Sequence, residues 1–217
     1  HTAYRRQRQM CIRDRAKGLF ATLLPMIPLG LVILPFTISF GRDMAGGVTT
    51  RFVLFGYRMA KQLVAKFVSV AILVSLVTVV YCLVLYQVLP LPSMSMLSLA
   101  NVFASTMILT AALYLLSFAI AQVFKGFNMI QGVAMVCYFG IAFLTGSMGT
   151  FQLPRTLEKA IEWIPFAAIR ETLKMHWGSN TVTDMQTEWF KLIVFLLITL
   201  FLFGLAEFYR RLKTHAV

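Results

Sequence analysis

The sequence predicts an all-α, polytopic integral membrane protein, and three observations carry that prediction. Of its 217 residues, 59% are hydrophobic and only 13% are charged, giving a mean hydropathy of +0.79. The charges cluster between long apolar runs. Each run approaches the ~20 residues that a helix rising about 1.5 Å per residue needs to cross ~30 Å of hydrocarbon. A barrel strand would instead alternate over about ten residues, whereas these runs are apolar on every side.

Five spans are expected, at about residues 19–40, 67–89, 97–124, 127–148 and 189–206. The buried helices of a soluble protein would not need runs of this length. Between the first two spans, the loop 41–66 carries Arg42, Arg51, Arg58, Lys61 and Lys66 against one acid, Asp43. An excess of Lys and Arg marks the cytoplasmic side. Alternation then places 90–96 outside, Lys125 inside, 149–188 outside, and the C-terminus with Arg210, Arg211 and Lys213 in the cytoplasm. The long outer segment agrees, because Glu158, Glu162, Glu171, Asp184 and Glu188 outweigh Arg155, Lys159, Arg170 and Lys174.

The N-terminus disagrees, with Arg5, Arg6, Arg8, Arg13 and Arg15 on the outer side. TAYRRQRQMCIRDR resembles translated sequencing-adapter read-through, so residues 1–15 are expected to be a non-native tail that replaces the native start and a further span. A basic arm on anionic lipid is the alternative, and it requires the opposite orientation. Residues 16–217 form one membrane domain. The formal charge of +12 follows membrane sidedness and leaves no soluble basic face, so no nucleic-acid partner is expected. Cys11, Cys82 and Cys137 make no disulfide framework and read as small packing residues.

The first loop opens with the flexible pair Gly46-Gly47, after which Thr49 or Thr50 is placed to cap a short helix. On that helix Phe52, Phe55 and Met59 would share one face, leaving Arg51, Arg58 and Lys61 to water, lipid phosphate or another protein. The same residues also fit a solvated basic loop that only sets topology. In the outer segment, Pro154 suits a first helical turn, with Leu157, Ile161 and Ile164 on one face and Glu158, Lys159 and Glu162 on the wetter side. Pro165 interrupts, and a second short helix, 166–177, carries Arg170, has Glu171 and Lys174 at i,i+3, and stops at Gly178. Trp163, His176 and Trp177 suit the headgroup region. The pair forms either a lid or an interfacial loop with no part in transport.

Within the spans the polar residues are Asn101, Gln122, Asn128, Gln131 and scattered Ser and Thr, and no Asp, Glu, Arg or His sits at the centre of a run. That disfavours ion coupling. Asn128 and Gln131 read as helix-contact residues, and Ala100 with Ala104 and Ser117 with Ala121 favour close packing of the third span. The chain carries no phosphate loop, no HExxH and no Cys or His pair at metal spacing, so no catalytic, cofactor-binding or metal residue is assigned.

Three stretches are similar to the permease subunit of ABC-2 type ABC transporters: GRDMAGGVTTRFVLFGYRMAKQLVAKF, the span with Ala111-Ala112 leading to Phe124-Lys125-Gly126, and FLTGSMGTFQLPRTLEKAIEWIPFAAIRETL. The resemblance covers about residues 19–217 and implies that the spans are the second to sixth of six. It implies that the loop 41–66 holds a coupling helix through which Arg51, Phe52, Phe55, Arg58, Met59 and Lys61 meet a cytoplasmic ATP-binding subunit carrying ATP and Mg. It also implies outer re-entrant helices over 153–177, including Pro154, Glu158, Glu162, Trp163, Pro165, Arg170 and Glu171. A second permease copy or paralogue completes the path in a bacterial plasma membrane. Export or flipping of an amphipathic compound, lipid-linked glycan, peptide or drug is the implied activity. Arg42-Asp43 and Gly46-Gly47-Val48 stand where members commonly carry an acidic Gly-Thr run, and the usual Thr-Pro is absent. Two other classes stay open: a non-transporting scaffold or immunity-type protein, and an ion-coupled secondary carrier.

Overall fold

The computed structural model describes residues 20–56, 59–88, 96–124, 126–144, 165–166, 169 and 185–215. Its principal helices are α1 (Phe20–Ala45), α2 (Val48–Leu54), α3 (Met59–Val88), α4 (Met96–Val123), α5 (Phe127–Leu144) and α6 (Met185–His215). No strand occurs among the described residues. The chain is therefore all-α, with the character of a membrane-embedded, multi-pass protein.

Among the described residues, four helices are long and apolar enough to cross a membrane: Phe20–Ala45, Lys61–Leu85, Leu99–Val123 and Thr187–Phe208. The remaining run forms α5, whose 18 residues reach only about 27 Å. Residues 145–148 of that run lie outside the described residues, as does the tail 1–15.

Several helices outrun their apolar segments. With 30 residues in α3 and 31 in α6, each is about 45 Å long and exceeds the ~30 Å hydrocarbon layer. At the end of α1, Arg42, Asp43 and Met44 continue the helix beyond the expected boundary at residue 40. Gly46 stops it, its N–H donating to the Arg42 carbonyl at 2.8 Å. Gly47 follows at φ +66°, a conformation glycine adopts without strain. The linker is consequently confined to residues 46–58, with α2 inside it.

The first half of α1 is irregular because Pro25, Pro28 and Pro35 each lack an N–H. Between the latter two, Leu29–Ile33 widens into a π-helical turn, the type of bulge that absorbs an interrupted hydrogen-bond ladder.

Helix α4 is the central element. Of its membrane-length window 61% is buried, against 22% for α3 and 17% for α6. A helix that is apolar on all sides belongs inside a bundle. Its buried hydroxyls are satisfied locally: Thr106 donates to the Val102 carbonyl at 2.8 Å, Thr110 to Thr106 at 2.7 Å and Ser117 to Leu113 at 2.9 Å. Leu109, Leu113 and Phe118 of α4 share the core with Leu29 and Ile33 of α1, Val70 and Val74 of α3, and Leu192 of α6. Ser117 and Ala121 are buried as small contact residues should be. Ala100 and Ala104, expected to do the same, are exposed; small-residue spacing permits close approach but does not supply a neighbour.

Candidate functional site: the linker helix and its base

The linker combines one short helix with exposed apolar residues. Arg51 donates its N–H to Gly47 at 3.0 Å and Phe55 to Arg51 at 3.0 Å. The helix therefore opens at Val48, ahead of both threonines expected to cap it. It ends at Leu54, and Gly56 follows at φ +81°. This break corrects the expected single face: Phe52 and Phe55 belong to α2 and its end, whereas Met59 and Lys61 start α3. Phe52 is 45% exposed, and Leu54 and Phe55 are each 80% exposed. Arg51 and Lys61 are also exposed. Arg58 lies outside the described residues.

The base of the linker is clamped. The Lys66 ammonium pairs with the Asp43 carboxylate, joining the end of α1 to the start of α3 across the whole linker. The same ammonium lies 4.7 Å from the Phe40 ring centroid, a cation–π distance. Phe40 meets Tyr114 edge-on at 5.4 Å and Phe118 at 5.2 Å, and Tyr114 meets Phe67 at 5.4 Å. The Tyr114 hydroxyl donates to the Leu63 carbonyl at 2.8 Å. Three helices are thereby locked around one aromatic cluster.

Further contacts gather at the same end. The Arg42 guanidinium lies 5.8 Å from the Phe127 ring centroid of α5. Gln122 of α4 donates its amide N–H to a Glu207 carboxylate oxygen of α6 at 3.2 Å. At the opposite end, the Tyr81 hydroxyl donates to the Phe20 carbonyl at 2.6 Å. The end of α1, start of α3, end of α4, start of α5 and the later part of α6 thus meet on one side of the bundle.

Between α3, α4 and α6 lies a laterally open groove of about 330 Å³. It is lined by Leu63, Val64 and Phe67 of α3, by Ala111, Tyr114, Leu115 and Phe118 of α4, and by Phe203 of α6. Tyr114 brings the sole hydroxyl of that lining, and it is already committed to Leu63.

Of the outer-segment residues, Pro154, Glu158, Glu162, Trp163, Arg170 and Glu171 lie outside the described residues. Pro165 is helical and buried, as is Phe166, and Ile169 is also buried in a helical turn. Nearby in sequence, Glu188 is 4% exposed and accepts a bond from Lys191 at 2.9 Å.

Among the described residues no group of three or more His, Cys, Asp or Glu side chains could hold a metal ion. Sequence reading identified the linker helix but missed the Asp43–Lys66 clamp and the Tyr114 hydrogen bond. A basic residue following an acid by 23 positions becomes informative only when the two flanking helices are placed side by side. No protein-family model matches the chain, and no curated protein matches it.

Proposed function

We propose that the chain is the membrane permease subunit of an ATP-driven ABC transporter of the ABC-2 type. The observation that supports the reading most is α2, a short helix held between two long apolar helices that presents Phe52, Leu54 and Phe55 outward beside Arg51. Apolar side chains exposed in a charged linker suit contact with another protein. In this reading the partner is a cytoplasmic ATP-binding subunit that holds ATP and Mg, and this chain hydrolyses nothing itself. The linker side is cytoplasmic, residues 153–177 form outer re-entrant helices, and a second permease copy or paralogue completes the path. The cargo is an amphipathic compound, lipid-linked glycan, peptide or drug to be exported or flipped.

The clamp gives the linker mechanical leverage. When ATP-binding subunits close, force on α2 passes through Asp43–Lys66 and the Phe40–Tyr114 contact into α4, and shifts the balance between inward- and outward-open forms. A ligand shifts such a balance only through differential affinity for the two states.

The test is co-reconstitution with whichever phosphate-loop ATPase sequencing of the neighbouring genes brings to light. ATP-dependent transport that is lost in Phe52→Asp/Phe55→Asp, together with lost ATPase association and an unchanged melting temperature, supports the permease. Transport driven by an ion gradient without ATPase favours the carrier reading. Partner binding with no transport favours the scaffold.

A further inference from the structure

We propose that the groove between α3, α4 and α6 binds one anionic phospholipid, with an acyl chain in the groove and the phosphate at Lys61. The site follows from the groove and its rim and does not depend on the transporter reading. Its volume of about 330 Å³ falls at the small end of ligand cavities, a size suited to a hydrocarbon chain. The lining excludes a polar guest, since the Tyr114 hydroxyl already donates to Leu63 and the other walls are hydrocarbon.

The groove also lies at the correct depth. Leu63 and Val64 occupy the first two turns of α3, and Phe118 is near the end of α4, so its mouth lies just inside the helix ends where a headgroup meets its acyl chains. Lys61 is exposed, and residues three apart on a helix share a face, which places Lys61 on the Val64 side at that mouth. Among the described residues Lys61 has no ion-pair partner, whereas Lys66 is held by Asp43.

The surrounding charge selects the headgroup. Arg51 is exposed on α2, and Glu207, one turn past Phe203 on α6, accepts a hydrogen bond from Gln122. Asp43 is neutralised by Lys66. An exposed lysine at the mouth of a hydrocarbon slot between membrane helices is complementary to a negatively charged lipid and gives a zwitterionic lipid no equivalent advantage.

The full chain purified in detergent should be titrated with dioleoyl phosphatidylglycerol and, separately, dioleoyl phosphatidylcholine, with bound lipid counted by native mass spectrometry. The expected result is one phosphatidylglycerol retained at least about fivefold more tightly than phosphatidylcholine. Lys61→Gln should lower phosphatidylglycerol affinity about fivefold and leave phosphatidylcholine unchanged. Leu115→Trp, which fills the groove, should weaken both lipids; if it lowers the melting temperature, Ala111→Leu makes the same measurement with less added volume. Equal affinity for the two lipids, no effect of Lys61→Gln, or full retention by a stably folded groove-filled variant would overturn the proposal.

Discussion

Tyr114 and Leu63 connect α4 to α3 through a phenolic hydroxyl that donates to a backbone carbonyl at 2.8 Å. The acceptor lies in the first turns of α3, and a carbonyl has a second lone pair to offer beside its intrahelical bond. Tyr114 itself is 4% exposed, so removal of the hydroxyl leaves a nearly unchanged apolar ring. Tyr114→Phe should therefore cost about 1 kcal/mol, without the larger penalty of an orphaned acceptor. Equilibrium unfolding in mixed micelles measures this loss, and a cost above about 3 kcal/mol would mean that the hydroxyl supports more than one bond.

The Asp43–Lys66 pair should behave as a modest clamp. Both side chains retain roughly a third of their exposure, 29% and 32% respectively, so water screens the attraction. Asp43→Asn, Lys66→Gln and the double variant form a cycle in which the coupling is expected near 1 kcal/mol or below. Lys66→Gln should cost more than Asp43→Asn because it also removes the ammonium from the Phe40 ring. Equal single losses with zero coupling would show that the pair does not clamp the linker.

Hydropathy made the long helices legible but not their ends or partners. The run ending near Phe40 marks where hydrocarbon stops, while α1 stops only at Ala45 because a Gly46 cap, not polarity, ends it. Likewise α3 begins at Met59, well before its apolar run, because charged residues such as Lys61 and Lys66 are good helix formers. Ser117 and Ala121 are buried, but identical spacing leaves Ala100 and Ala104 exposed, since a sequence records a helix face without recording what covers it. Gln122 stood out as a polar residue in a span; its partner Glu207 lies 85 positions away and required the α4–α6 packing to be seen.

The shared end of the bundle predicts an accessibility pattern. Asp43–Lys66, Arg42–Phe127 and Gln122–Glu207 bring their helix ends to one side, whereas Met96, 87% exposed, starts α4 at the other. In a Cys11→Ala/Cys82→Ala/Cys137→Ala background, Phe55→Cys and Asn128→Cys should react with a membrane-impermeant thiol reagent from the same side, and Met96→Cys from the opposite side. Sealed vesicles of known orientation distinguish the two. Opposite labelling of Phe55→Cys and Asn128→Cys would contradict the helix pairing.

Gly41 and Ile130 set how closely α1 approaches α5. A Cβ at Gly41 would lie 3.0 Å from Ile130 Cδ1 and 3.1 Å from its Cγ2, tighter than ordinary van der Waals contact. Ile130 is only 3% exposed, and its β-branch keeps Cγ2 close to the backbone, so rotation of the side chain does not readily clear both contacts. Gly41→Ala gains up to about 1 kcal/mol of helix propensity that the close contact opposes. Gly41→Val adds two methyl groups to this contact and loses much of the propensity gain, so it should destabilise by about 1–3 kcal/mol. Ile130→Ala alone should cost about 2–5 kcal/mol through its cavity. Combined, the substitutions should lose less than the sum of their separate effects because added volume at residue 41 occupies space released at residue 130. A double-mutant cycle in micelles reads that coupling; strict additivity would show that the two positions do not touch in the folded protein.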